Sequence, residues 1–551
     1  MLSSLCLALL LGAVFDEPFP IWTVTPAPAE AAFPASVSPP LPNSELAEYL
    51  AREPLTPLAS AALGLRDQAG RVWLGGEGGL MLREPGAKRW RLFHSRRWLP
   101  DDRVTGLAVD DQGVVWVQTA GGAVKFKQQQ TTLEHKMQTI HDTLRKHHVR
   151  EGLVGSIELK TPGTLAGGWF KHTDDNDGLW TSMYAGGEAF RYGATGAADA
   201  KDNAWEAVQA LMRLEEITGI PGFAARSIVP ASEEPHKYGG QWHKSADGRW
   251  WWKGDTSSDE LDGHYFAYAV YYDLAADEPQ REQIRGVVAR MTDHILDHGY
   301  YYVGPDGKHT TWGVWAPERL NHDLEWHVER GLNSLELLSH LKVASHITGD
   351  PKYAAVAREL IEKHAYATNT IDQKLLWPPH AVNHSDDELA FLSYYPLLRY
   401  ERDTKLRKVY LASIRRSWEI ERPEESPFFN YIYAAAEQLD AWPNTSKRPD
   451  KGYVPPADYD ADACLAWFRE VPSDTIYWSV QNSHRRDLGP RASNRVGKAV
   501  LQTPIHIAER IVMKWNGDPY EVDGGEGGTR RDDGAFILLP YWMGRYHRFV
   551  E

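Results

Sequence analysis

From about residue 130 onward, apolar positions recur every three to four residues, and the runs come in pairs joined by short Gly, Pro or Asp turns. Tyr192 to Gly196 links one amphipathic run to Lys201–Val208, and His346 to Pro351 links Ser334–Ser345 to Tyr353–Lys363. Breaks at Ala275–Pro279 and Arg402–Thr404 repeat the pattern, so four helical hairpins are predicted. Helical patterns over Phe428–Ala441, Asn494–Trp515 and Asp533–His547 supply a fifth and a sixth. The fold class is therefore mainly α: an (α/α)6-type toroid of hairpins around a central cavity, occupying residues 129–551. An open helical solenoid is the alternative. Irregular spacings and long Trp-rich loops at Lys237–Asp255 and Tyr300–Glu325 favour the closed ring.

The period is different upstream. Residues 45–128 are predicted to form a small β section with an internal repeat: Asp67, Gly70 and Trp73 are echoed by Asp110, Gly113 and Trp116, 43 positions later. The pattern resembles the repeats of two-component-regulator-type propellers. Two repeats are too few to close a propeller, so the section is expected to pack as a small sheet against the main domain. Residues 1–44 are predicted to be a signal-like apolar run, Leu2–Phe15, and a Pro-rich linker with little capacity to fold. Ala29, Glu30 and Ala31 offer a cleavage site, which makes the mature protein secreted or periplasmic. No other segment has transmembrane length and polarity.

Composition narrows the chemistry. The 551 residues exceed the ~250–300 at which a single core stops growing, in keeping with a large domain plus a smaller one. There are 22 Trp and 25 Tyr beside only 15 Phe, and aromatics with a polar edge suit the faces of sugars as well as ordinary cores. A net charge of −15 argues against nucleic acid as a partner. Two cysteines, Cys6 and Cys464, allow neither a disulfide framework nor a Cys-based zinc site. His236 and His243 lack metal-ligand spacing, and Thr173–Gly178 starts like a calcium loop but meets Tyr184 where a bidentate Glu is needed. No metal or cofactor is called for.

Three acidic clusters stand at predicted helix starts: Asp174 to Asp177, Asp255 to Glu260, and His384 to Glu388. The last two contain a near-duplicate, Ser257 to Leu261 and Ser385 to Leu389. Its Ser and Glu fit a capping box, in which two side chains reciprocally bond free backbone amides. Capping does not require Asp177, Asp255, His384 or Asp387. Surplus carboxylates beside a cavity suit glycoside hydrolysis, in which one acid delivers a proton and another activates water or attacks carbon. The same neighbourhood offers a second chemistry: Asn383 and His384 with Tyr394 would serve β-elimination on a uronate polymer.

Asn176, Asp177, Gly178, Leu179 and Trp180 resemble the entry to the catalytic inner helix of unsaturated glucuronyl and rhamnogalacturonyl hydrolases, within the six-hairpin carbohydrate-active superfamily. Glu329 to Leu338, running on to Thr348–Tyr353, resembles a second helix of that family. The resemblance implies acid/base roles for Asp177 and Glu329, the latter departing from the family's Asp. His322, Glu325 and Trp326 are faintly similar to sugar epimerases on related barrels.

The combined expectation is an extracytoplasmic enzyme that hydrolyses glycosidic bonds in an oligo- or polysaccharide, with uronic-acid glycans included. A uronate lyase and a non-catalytic glycan-binding scaffold are the alternatives. The catalytic candidates are Asp177, Asp255, Glu329, His384 and Asp387. Trp180, Trp250, Trp251, Trp252, Trp312 and Tyr265 are candidate sugar platforms. Tyr184, His264, Arg330, Asn383 and Tyr394 are candidate substrate contacts.

Overall fold

A computed structural model describes residues 17–28, 31–173, 175–373, 383–441, 458–494, 497–511 and 517–550. Twelve helices alternate along the chain between an outer and an inner layer. The outer ones are α1 (Leu133–Thr143), α3 (Ala198–Glu216), α5 (Glu278–Asp297), α7 (Pro351–His364), α9 (Thr404–Glu421) and α11 (Ala461–Glu470). The inner ones are α2 (Asp177–Thr195), α4 (Ser258–Leu274), α6 (Arg330–Thr348), α8 (His384–Tyr400), α10 (Pro427–Ala441) and α12 (Ala535–His547). Each inner helix packs on the next, and α12 returns to pack on α2, so the ring closes. The chain is a mainly α toroid of helical hairpins with a small N-terminal β section.

Local chemistry explains the hairpins. α2 and α6 stop at Gly196 and Gly349, both with φ of +72°, a left-handed conformation that glycine adopts without a Cβ clash. Three outer helices start on side-chain caps: Asp277 with Gln280 makes a full capping box on α5, and Asp350 and Asp403 cap α7 and α9. Close approach between inner helices uses small residues. A Cβ on Gly186 would sit 2.6 Å from Phe266 of α4, and one on Gly187 would sit 3.3 Å from the Leu539 backbone of α12.

The short turns lie at one end of the ring. The connections into the inner helices lie at the other and carry β-hairpins, including His309–Val314 with Tyr301–Val303. All inner helices therefore point their N-termini toward the loop-rich end. The predicted helix over Asn494–Trp515 is corrected: its described part holds the short strand Ala499–Leu501, paired with Arg491–Ser493, instead of a helix.

The N-terminal section forms two four-stranded antiparallel sheets. The first comprises β2 (Leu63–Arg66), β3 (Val72–Gly76), β4 (Gly79–Arg83) and β5 (Arg91–Phe93). The second comprises β6 (Val104–Val109), β7 (Val115–Thr119), β8 (Gly122–Thr131) and, on the outer edge, β1 (Phe19–Pro26). The repeat is physical. Asp67 accepts from the Trp73 indole at 2.9 Å, and Asp110 accepts from the Trp116 indole at 2.8 Å. Each also accepts the backbone N–H groups two and four residues on.

β1 corrects the expected linker. Residues 19–26 supply the fourth strand of the second sheet, and Phe19 enters the same core as Leu133 and Met137. Alternation of Trp22 and Val24 toward the sheet core gave that strand its pattern despite its prolines. The Leu2–Phe15 run lies outside the described residues.

The two sheets dock on the loop between α11 and α12. Glu509 accepts from Arg89 at 3.0 Å, from Arg485 at 2.9 Å and from the Leu92 backbone at 3.1 Å. Among the described residues no helix is long and apolar enough to cross a membrane.

Candidate functional site

Side-chain caps start five of the six outer helices, α3 on Ala197 being the exception, and none of the inner helices whose caps are described. Thr132, Asp277, Asp350, Asp403 and Asp460 each cap an outer helix with their own side chain. The N-cap residues of the inner helices α2, α4, α6, α8 and α12 make no such bond. Backbone donors and the positive ends of helix dipoles thus converge on the loop-rich end, where acidic side chains are favoured. The expected capping boxes of the duplicated motif do not form: Ser257 makes no cap bond, and α8 starts one residue before Ser385.

At this end lies a cleft of about 770 Å³. One wall carries Asp175, Asn176 and Trp180 from the start of α2, Asp259 from the first turn of α4, and Arg226. The loop before α12 completes the lining with Tyr477, Asp518, Glu521 and Arg530.

Arg226 organises the first wall. Its guanidinium donates to the Asn176 side-chain oxygen at 2.6 Å, to the Asp175 carbonyl at 2.8 Å and to the Asp255 carbonyl at 3.3 Å. The Asn176 amide in turn donates to Asp259 Oδ2 at 2.7 Å. Burial raises the Asp259 carboxyl above the usual carboxylate range, with the Arg226 charge and the Asn176 hydrogen bond working against it.

Behind Asp259 lies Glu260, fully buried. Its Oε2 stands 2.0 Å from the point a Gly178 Cβ would occupy, so glycine alone lets the carboxyl reach the start of α2. Burial pushes Glu260 well above the usual range, opposed by Arg226 and reinforced by Asp177 and Asp259. Glu260 is thus wedged between two helix starts, where burial favours its neutral form. Asp177 is buried beside it and accepts a short hydrogen bond from the Ser227 hydroxyl.

Deeper along the axis a second pair of acids meets. Glu336 of α6 accepts from the Trp315 indole at 2.7 Å, and Asp262 of α4 contacts His340 Nε2 at 2.7 Å and Ser393 Oγ at 3.1 Å. Burial raises both carboxyls well above the usual range. A proton held between them satisfies both, and this network fills the axis below the cleft.

The residues expected from sequence divide clearly. Trp180 lines the cleft. Asp255 is anchored to the neighbouring hairpin, accepting from the Thr311 N–H at 2.8 Å and its hydroxyl at 3.0 Å. Glu329 precedes α6, and Arg330 is bridged to Asp372 at 2.8 Å, outside the cleft lining. His384 and Asp387 are buried behind Asp518. Asn383 donates to Asp386 at 2.5 Å within the same turn.

Several expected substrate contacts are corrected to core residues. Tyr265 is 1 % exposed and bonds Thr292 of the outer layer, and Tyr394 is 0 % exposed and bonds Ser413 of α9. Both rings fill the space between inner and outer helices, so neither meets solvent, and Tyr394 shares no cleft with Asn383 for an elimination. Tyr184 is buried toward His141. Burial holds the His264 imidazole down to about 3, hence neutral, against Tyr268. Trp252 is buried against His243, while Trp250 and Trp251 lie under Arg213 and Lys244. Trp312 is 52 % exposed beside Trp326.

Sequence reasoning missed Asp259, Asp518 and Arg226. Asp259 was within reach, because the duplicated motif aligns it with Asp387, one of the expected catalytic acids. Asp518 was hidden behind the helix wrongly expected over Asn494–Trp515.

No family model and no curated protein matches the chain. Among solved structures, a family 76 glycoside hydrolase from a bovine Bacteroides thetaiotaomicron strain is similar at 11 % identity and a TM-score of 0.24, covering 67 % of this chain and 88 % of that one. A likeness at that level bears on neither fold nor chemistry.

Proposed function

We propose that the chain hydrolyses glycosidic bonds in an oligo- or polysaccharide bound at the loop-rich end of the toroid. The observation that carries this reading is the pair of carboxyls lining one cleft, Asp259 and Asp518. Asp259, whose carboxyl burial raises above the usual range, suits delivery of a proton to the leaving oxygen. Asp518, a carboxylate at neutral pH, suits the ionised partner of the pair.

The surroundings support the assignment of roles. Asn176 orients Asp259 and Arg226 orients Asn176, so the acid is fixed by side chains themselves tied to helix starts. Trp180 borders the cleft but is only 5 % exposed, so it backs the lining and offers a sugar little ring face. Arg226 and Arg530 offer positive charge to an acidic sugar. Export is part of the same reading, supported by the apolar Leu2–Phe15 run.

The test is a panel of neutral and uronic-acid glycans incubated with the purified protein and read for new reducing ends and for ultraviolet absorbance. Reducing ends without absorbance are expected. Absorbance growing with product formation would mean elimination instead, and binding with no product from the panel would mean a glycan-binding scaffold.

A further inference from the structure

Behind the Asp518 wall, the first turn of α8 faces the end of α9. His384 and Asp387 are three residues apart and share one helix face, and Glu421 arrives from α9. Each offers one ligand-type atom, and the three atoms lie within 4.8 Å of one another in side chains that are all buried. Two further carboxylates stand around the imidazole. Glu424 Oε1 is 3.8 Å from Nδ1, and Asp518 Oδ1 is 3.6 Å from Nε2.

His384 itself points to a ligand. It is 6 % exposed, and neither ring nitrogen has a hydrogen-bond partner. Both carboxylate separations exceed hydrogen-bond length, so a protonated ring acting as a plain counter-ion leaves both of its N–H groups unbonded. A metal-ligating imidazole gives one nitrogen to the ion and turns the other toward a carboxylate, carbonyl or water, and the carboxylates on both sides of His384 allow that arrangement.

We propose that His384, Asp387 and Glu421 bind a divalent transition-metal ion, with Glu424 and Asp518 in the surrounding shell. One imidazole with two carboxylates is a mixed nitrogen and oxygen set, which suits Zn²⁺ or Mn²⁺ better than the all-oxygen cage of Ca²⁺. Ligand bonds of about 2.1 Å at a tetrahedral ion set ligand atoms about 3.4 Å apart, so atoms as far apart as 4.8 Å draw together by up to about 1.4 Å around the ion. The ion would tie the start of α8 to the end of α9 and steady the cleft wall through Asp518. The motif escapes sequence reading because its third ligand lies on another helix.

The experiment uses the full purified chain, stripped with a chelator and dialysed against Zn²⁺ or Mn²⁺, with bound metal measured by mass spectrometry and melting followed with and without the ion. About one equivalent per chain and a higher melting temperature on loading are expected. His384→Gln and Glu421→Gln should each lose that equivalent and the melting shift while keeping the far-ultraviolet dichroism of the parent. No bound metal at millimolar free ion overturns the proposal, as does unchanged stoichiometry in His384→Gln. If His384→Gln fails to fold, Glu421→Gln and the parent stoichiometry decide. The readout is metal content, so failure of the hydrolase reading leaves it standing.

Discussion

The Asn176 amide donates to the Asp259 carboxylate at 2.7 Å, joining the starts of two adjacent inner helices in the lining of one cleft. That bond favours the ionised acid, burial favours the protonated one, and burial prevails.

Asp259→Asn therefore removes the proton donor while keeping an Asn176 partner. Glycosidic activity should fall by roughly a hundredfold to ten-thousandfold with little change in melting temperature. In the parent, activity is lost as pH rises through the Asp259 value. Asn176→Ala withdraws a bond to the ionised form and should move that alkaline limb upward. A kcat/KM profile for the three proteins reads both effects, and an unshifted limb would refute the Asp259 assignment.

Asp262 and Glu336 give a pH dependence of stability with a defined sign. Their folded-state carboxyls are raised, so the folded chain holds more protons than the unfolded one above the ordinary carboxyl range. Their contribution is complete at low pH and declines as pH rises. Glu336→Gln imitates the protonated form, keeping an acceptor for Trp315 and a donor for Asp262. Urea unfolding at acidic and mildly alkaline pH should show a shallower decline in this variant than in the parent.

Glu509 works with the opposite sign. Burial alone would raise it, but Arg485, Arg89 and His506 together hold it down to about 2. Its contribution is present above the ordinary 4.5 and disappears as pH falls toward that lower value. Glu509→Gln removes one of the two carboxylates paired with buried Arg485 and leaves it Asp487 at 2.7 Å, so the cost is that of a charged hydrogen bond, about 1.5–3 kcal/mol. Calorimetry should show the change as a lower melting temperature, and limited proteolysis should show earlier release of the β sheets.

The N-terminal strand sets where processing is tolerable. Cleavage at Ala31 would remove Phe19 and Trp22, each contributing about 1.5–3 kcal/mol by burial, and would expose the edge of β8. Any processing compatible with the fold should therefore fall ahead of Phe19, which N-terminal sequencing of the purified protein checks. A chain starting at Ala32 should be less soluble and melt earlier than one starting at Glu17.

The alternating helical pairs were legible because amphipathic periodicity, Gly stops and Asp starts are local: Gly196, Asp277 and Asp350 do in the structure what their types predict. The twin Asp–Trp repeats were legible for the same reason, since each Asp bonds an indole only six residues away. Sequence alone therefore determined the mainly α class, the hairpins and the existence of two β repeats. Tertiary structure alone decided that α12 returns to α2, that β1 fills the second sheet, and which acids face solvent. Asp255, Asp259 and Glu260 are near neighbours in the chain, yet one is tied to a hairpin, one lines the cleft and one is buried against Gly178. Local pattern fixes where a helix begins, but a carboxyl's protonation and access depend on burial and on charges such as Arg226, set by distant segments that only the closed ring brings together.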